Sequence, residues 1–390
     1  MREPPGVPVR VLPVIVLAQF AGGSMWFAVN AVMPNLQRDW GLPASAVGAL
    51  TSAVQFGFIT GTLLFALLAI ADRHSPRLVF LACALLGAAC SALGATGVGG
   101  FDGLLVIRFA TGFFLAGIYP VGMKIAAGWY PQGLGAALGW LVGALVLGTA
   151  SPHLLRALGT HWPWPAVMLS VSAIAAAGGL ALAWLVPDGP HLPRSPRLQW
   201  RALGALWSNR GVRASAFGYF GHMWELYTLW VLVPAIVGTR LAGAGASAAS
   251  FAVIGVGMLG CVVGGLLVRR CGGARVAGAQ LATSGACCLL APWALGAGDA
   301  AFALWLVVWG VTVAGDSPQF SALTAANAPR EAVGSLLTLV NSIGFAISIV
   351  SIELFAQLAS RYPLEALLPW LALGPALGLW MLRPLMITAR

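Results

Sequence analysis

Charge is scarce in this chain: only 8% of its 390 residues are Asp, Glu, Lys or Arg, against about 25% in a soluble domain. That shortage excludes a fully solvated surface, and with it a disordered chain, which would be polar throughout. Lysine is almost missing, with twenty arginines to one lysine, a bias expected of a GC-rich bacterial genome. Cysteine is sparse as well. Cys83, Cys90, Cys261, Cys271, Cys287 and Cys288 show no metal-ligand spacing, and the adjacent last pair reads as apolar packing, so free thiols are expected and no metal or other cofactor. No Gly-rich phosphate loop ends in Lys-Ser or Lys-Thr, no paired histidines have metal spacing, and no G-x-S-x-G elbow occurs. These absences speak against an enzyme and against nucleotide-driven pumping by this chain. Short alternating segments are also lacking, which excludes an outer-membrane barrel.

What is abundant is apolar: 59% of the residues are hydrophobic, in long runs from Val11 to the C-terminus. At ~20 apolar residues per crossing, the pattern predicts an all-α polytopic protein of twelve transmembrane helices. They fall near residues 11–33, 45–70, 78–97, 101–126, 133–157, 164–186, 212–238, 245–268, 276–296, 300–325, 332–357 and 363–386. The first run has no small-residue cleavage site after it and is long enough to span, so it reads as helix one and not as a removed signal.

The net charge of +10 would suggest a nucleic-acid partner in a soluble chain, but its distribution reports topology instead. With the N-terminus cytoplasmic, sixteen basic residues lie on that side: Arg2, Arg10, Arg73, Arg77, Lys124, Arg194, Arg197, Arg201, Arg210, Arg213, Arg269, Arg270, Arg275, Arg330, Arg383 and Arg390. Only Arg38, Arg156, Arg240 and Arg361 fall outside. This asymmetry puts both termini in the cytoplasm of a bacterial inner membrane. Trp40, Trp129, Trp162 and Trp164 stand at helix ends and read as interfacial anchors.

An offset of 198 residues lays helix four over helix ten. Gly112, Ala116, Gly117, Pro120, Ala127 and Pro131 fall on Gly310, Ala314, Gly315, Pro318, Ala325 and Pro329, and Arg77 falls on Arg275 in the same register. The chain therefore divides into a six-helix half over 1–187, a Pro- and Arg-rich cytoplasmic linker over 188–211, and a second half over 212–390. Parallel six-helix repeats bind solute between them near the midplane, and Gly- or Pro-interrupted segments at matching positions point to the site. Those segments are Ala116 to Pro120 and Ala314 to Pro318; close helix packing with a tolerated kink is their other reading.

At this point the sequence resembles the major facilitator superfamily over nearly its whole length. The loop Ala71 to Arg77 is similar to the family's signature loop after helix two, with Leu68 and Ser75 where glycines are usual. Its counterpart, Gly265 to Arg275, keeps both glycines but has Arg269 where the first loop has Asp72. Arg108, followed by Gly112 and Ala116, is similar to the family's arginine motif. Trp26 to Gly41 and Phe217 to Tyr227 faintly resemble cyanate- and nitrate-type permeases, although spans two and eight lack the mid-helix arginines of nitrate porters. The Gly-Pro pair typical of proton-coupled drug exporters is missing from helix five, where Ala144 follows Gly143. The resemblance implies a gating role for the two loops, with Asp72, Arg73, Arg77, Arg269, Arg270 and Arg275. Asp72 would cap a helix start or pair with an arginine across the halves; alternatively the arginines only set topology.

Ionisable groups inside a membrane are functional candidates because each costs roughly 2.5–3.5 kcal/mol. Glu225 and Asp316 are carboxyls with no lysine or arginine in the second half's interior, and a low-dielectric site favours their protonated form, so one of them can take up a proton. His222, one helical turn before Glu225, can relay it or bond the solute; a structural network of His222, Glu225 and tyrosines is the alternative. Arg108, about 10 Å into its helix at ~1.5 Å per residue, either meets an anionic solute or balances an acid across the cavity; the family resemblance implies a structural or proton-linked role over direct substrate contact. Gln19, Gly23, Trp26 and Asn30 form one face of helix one, and Gln55, Tyr119, Trp224, Tyr227, Gln319 and Asn341 complete the expected lining. Lys124, His153 and Glu353 read as interfacial.

These features predict a monomeric secondary transporter that moves a small polar or anionic solute with protons by alternating access. Proton-antiport efflux of a drug-like compound is one alternative. A transporter-like sensor or complex subunit is the other; such a protein usually carries an added cytoplasmic domain, whereas Arg390 follows the last span almost at once.

Overall fold

The computed structural model describes residues 6–130, 134–192 and 198–388, and among these every regular element is helical. Arg2, Pro131, Arg194, Arg197 and Arg390 lie outside the described residues. Twelve helical rods follow one another: α1 (Val11–Trp40), α2 (Ala46–Leu68), α3 (Pro76–Gly94), α4 (Gly100–Trp129), α5 (Leu134–Leu158), α6 (Trp164–Leu185), α7 (Arg210–Gly238), α8 (Gly243–Cys271), α9 (Gly273–Gly296), α10 (Asp299–Asn327), α11 (Arg330–Leu358) and α12 (Leu364–Ile387). Eleven of them are long and apolar enough to cross a membrane. The other, α9, has 24 residues and therefore the length, but Gln280, Thr283 and Ser284 lower its apolarity.

The rods form two six-helix bundles, α1–α6 and α7–α12, that meet along two seams. At one seam α2 lies against α11, and at the other α5 lies against α8. The 198-residue offset carries α2 onto α8 and α5 onto α11, so the two seams are the same contact made twice.

Within each bundle the repeated glycines let backbones approach. A Cβ on Gly112 of α4 would overlap the Val54 carbonyl of α2, and one on Gly310 of α10 would overlap the Val253 carbonyl of α8. Small residues at such crossings replace the hydrophobic drive that lipid does not supply.

Both Gly-Pro segments predicted as interruptions are breaks. In α4, Leu115 ends one helix and Tyr119 begins the next; in α10 the break falls at Asp316, between Gly315 and Ser317. Two further breaks carry no proline: α1 at residues 24–27 and α8 at Val256. Helix one therefore does not run unbroken over 11–33 as expected, but in two pieces to Trp40.

The loop ends are tied down by polar side chains. Asp188, just past α6, accepts from Ser75 Oγ at 2.5 Å and from the Arg77 amide at 3.3 Å, which caps the start of α3. Asn209 accepts from the amides of Gly211 and Val212 at the start of α7, and its side-chain amide donates to the Asn327 carbonyl at 2.9 Å. Trp40 and Trp164 pack edge to face at 5.7 Å, and Trp129 Nε1 donates to the Pro187 carbonyl at 3.0 Å.

Candidate functional site

At mid-height the two bundles are joined by aromatic rings. Trp26 of α1 is fully buried; it stacks on Tyr227 of α7 at 5.9 Å and on Phe345 of α11 at 5.6 Å, and it tilts against Phe58 of α2 at 4.8 Å. Tyr227 continues the cluster to Trp230 at 5.2 Å, and Phe27 meets Trp230 edge on at 6.0 Å. The space left beside the cluster, lined in part by Tyr119, Tyr219, Met223 and Tyr227, is about 30 Å³, about a tenth of the cavities at either end. The repeat predicts an open midplane cavity. The interlocking rings close it, and the larger cavities lie toward the two ends, with about 340 Å³ on the side of the termini and about 320 Å³ on the opposite side.

Several expected lining groups ring this closed centre with unused polar atoms. Among the described residues, Trp26 Nε1, Gln55 Nε2, His222 Nε2 and Gln319 Nε2 are buried without a hydrogen-bond partner. Gln55 Oε1 accepts from Ser348 Oγ of α11, which links the two bundles. Asn30 Nδ2 donates to Thr51 Oγ1 at 2.8 Å, whereas Asn30 Oδ1 has no partner. Asn341 is half-buried on α11. Two residues sit away from the centre. Trp224 faces an apolar cleft between α7, α11 and α12, where it meets Phe355 edge on at 6.1 Å. Gln19 is buried near Gly122 and Phe80 inside the first bundle, and its amide is unpartnered.

His222 and Glu225 share one face of α7 yet take different partners. His222 Nδ1 lies 2.8 Å from Asp316 Oδ1, and both side chains are sealed from solvent. This contact sits at the break of α10, so the acid is held where the helix backbone is interrupted. Glu225 lies deeper in the second bundle: Trp309 Nε1 donates to its Oε1 at 2.6 Å, Ser284 Oγ to its Oε2 at 2.9 Å and Cys288 Sγ to its Oε1 at 3.2 Å. Sequence reasoning misses Ser284, Cys288 and Trp309, because nothing local links them to residue 225.

Arg108 is fully buried in α4. Its Nη1 donates to the Met25 carbonyl at 2.9 Å and its Nη2 to the Trp26 carbonyl, the oxygens released where α1 breaks. Substrate contact and balance of an acid would each give this arginine an anion, whereas the family resemblance favours a structural or proton-linked role. The structure gives its terminal nitrogens to backbone instead, because an interrupted helix inside a membrane needs its carbonyls satisfied.

At the end carrying the termini, Asp72 pairs with Lys124 of α4 at 2.6 Å, with both side chains mostly buried. Lys124 is therefore more than the interfacial residue its position suggests. Arg77 also reaches the Ala183 carbonyl at 3.4 Å, whereas Arg73, Arg269, Arg270 and Arg275 are exposed and make no ion pair among the described residues.

Two six-helix bundles related by a parallel repeat, with a closed centre between them, match a known family. The sequence pattern of the Major Facilitator Superfamily covers residues 15–352. The chain belongs to this superfamily. It is a multi-pass membrane transporter and not an enzyme. No curated protein sequence matches it. Among solved structures it is similar to the human organic anion transporter MFSD10 (TETRAN), at 17% identity and TM-score 0.75 over 97% of this chain and 100% of that one. It is also similar to a mutant form of the nucleoside transporter NupG, at 13% identity and TM-score 0.72 over 96% and 99%. At these identities the likeness is one of fold.

Proposed function

We propose that this facilitator-type transporter moves a small polar or anionic solute across a bacterial inner membrane, and that proton binding at Asp316 drives it. The observation that carries this reading is the sealed His222–Asp316 contact at the break of α10. An imidazole nitrogen and a carboxylate oxygen 2.8 Å apart can pass a proton from one to the other; separating the two opens both to water. A motion that bends α10 at Asp316 would open that contact, so the proton and the conformation are linked. Glu225, one turn along α7 and held by three donors, is the second acid of the same reading.

In the proposed cycle the halves 1–187 and 212–390 rock about the two seams, with 188–211 as the segment between them. The sixteen-to-four arginine and lysine asymmetry supports a cytoplasmic location for both termini. On that orientation Asp72 and Lys124 stand at the cytoplasmic gate, with Arg73, Arg77, Arg269, Arg270 and Arg275 around it. Trp26, Asn30, Gln55, Tyr119, Tyr227, Gln319 and Asn341 contact the solute once the rings part; His222 bonds it or relays the proton. Trp224 and Arg108 act from behind this layer, the one in the α7–α11–α12 cleft and the other on the α1 break. An anionic solute is in keeping with one of the fold's neighbours, an organic anion transporter.

The test is electrical. Purified protein in proteoliposomes on a solid support is challenged with carboxylates, inorganic anions, sugars and organic cations under an inward proton gradient. A transient current for one solute class, lost in Asp316→Asn while counterflow of labelled solute persists, is the expected result. Proton-driven accumulation retained by Asp316→Asn removes Asp316 from coupling.

A further inference from the structure

The cavity at the end opposite the termini lies between the bundles, walled by α1, α5, α7 and α8, and encloses about 320 Å³. Its charged walls are Arg38 and Arg156, and among the described residues no Asp or Glu lines it. Arg156 is held in place by its Nη1, which donates to the Gly159 and Trp162 carbonyls at 3.2 and 3.0 Å. Arg38 is exposed and makes no hydrogen bond or ion pair among the described residues. Deeper in, two buried side chains present unpartnered atoms. Asn30 is 4% exposed with Oδ1 unbonded, and His153 is 2% exposed with Nε2 unbonded. Two cations in a concave wall, one of them held by the α5–α6 loop, focus a positive potential, which raises the local concentration of anions by about 10–10³. Buried polar atoms left unbonded are costly unless a ligand or water meets them.

We propose that this vestibule is a binding site for small anions of the carboxylate or oxyanion class. Arg38 and Arg156 supply the charge, and the buried His153, in the tautomer with Nε2–H, donates to the anion from the floor, while Asn30 Oδ1, an acceptor, takes a water. The aromatic cluster at Trp26 and Tyr227 lies below Asn30, so an anion captured here waits directly above the closed centre. The inference rests on the transporter reading for what happens next to the anion, but the capture itself needs no transport.

Ser247 lines the vestibule on α8 and provides the probe position. The full chain with Ser247→Cys is labelled with a negatively charged sulfonatoethyl and a positively charged trimethylammonium-ethyl thiosulfonate, with wild type subtracting the native Cys271. Relative to their rates with free cysteine, the negative reagent should gain at least about tenfold on the positive one. That gain should fall severalfold on adding Arg38→Gln or Arg156→Gln, and millimolar benzoate or phosphate should slow the labelling. Arg156→Gln also removes bonds to the α5–α6 loop; Arg38→Gln removes none and carries the test if Arg156→Gln does not fold. A reagent preference equal to that of free cysteine, or labelling untouched by both anions, overturns the proposal. Protection by an anion without proton-driven uptake leaves the vestibule standing and sinks the proton-driven reading. Proton-driven anion uptake without protection does the reverse.

Discussion

Ser348 of α11 donates its hydroxyl to the amide oxygen of Gln55 of α2, and this bond joins the two bundles beside the Trp26, Phe58 and Phe345 rings. Both side chains are fully buried, so the bond exists only while the α2–α11 seam is closed at this height. An alternating-access protein must open that seam in one of its states. Gln55 and Ser348 thus belong to the energy difference between states as much as to the stability of either.

Ser348→Ala leaves Gln55 Oε1 buried without a donor, which costs the closed state about 1–3 kcal/mol. The open states, where water reaches Gln55, lose nothing. The closed-to-open ratio should therefore drop by roughly tenfold for each 1.4 kcal/mol, read as faster amide exchange along α2 and α11. Ser348→Thr keeps the hydroxyl and should exchange more slowly than Ser348→Ala. Exchange unchanged in the alanine variant would mean that the bond contributes nothing to closure.

Arg108 leads to a prediction of a different kind. With its terminal nitrogens on the Met25 and Trp26 carbonyls, its replacement harms the fold before it harms recognition. Arg108→Gln should lower the melting temperature in detergent by several degrees, consistent with a loss of about 2–4 kcal/mol for two buried acceptors. Arg108→Lys should recover part of that. A variant that melts like wild type but raises the KM for solute would restore the substrate-contact reading.

How much of this was legible in sequence follows from range. The breaks of α4 and α10 could be read because glycine and proline write them locally and the 198-residue repeat writes them twice. The break of α1 is written more weakly: Gly22, Gly23 and Ser24 lead into it without a proline or a repeat to mark it, and the group that stabilises it sits 82 residues away from Trp26. The same holds for Lys124, which gains meaning only from Asp72 across two helices. Helix count followed from apolar length, which is a one-dimensional property. Whether Trp26 and Tyr227 line a cavity or fill it depends on the separation of two bundles, which no local pattern encodes.

Glu225 tests how the two acids divide their work. Its oxygens accept from Trp309, Ser284 and Cys288, and an amide oxygen in Glu225→Gln can keep the Trp309 bond while the new NH₂ turns to the Ser284 hydroxyl. Glu225→Gln should therefore fold, and proton-driven accumulation should fall by less than about tenfold, the cost of one weakened buried bond. If Glu225→Gln abolishes accumulation while Asp316→Asn does not, the coupling role belongs to Glu225.

The repeat itself yields the last prediction. Gly112 and Gly310 occupy matching places, each seated on the backbone carbonyl of a partner helix, Val54 in one bundle and Val253 in the other. A methyl group at either position meets backbone rather than a movable side chain, so the helices must separate; overpacking of this sort costs about 1–3 kcal/mol. Gly112→Ala and Gly310→Ala should each lower thermal stability by a similar amount. The double variant should lose the sum, because the two crossings lie in different bundles and share no partner. Nearly additive losses would show that the two bundles melt as one cooperative unit held together by the seams. A double variant no worse than either single would mean that the bundles melt separately, the weaker one setting the observed melting temperature.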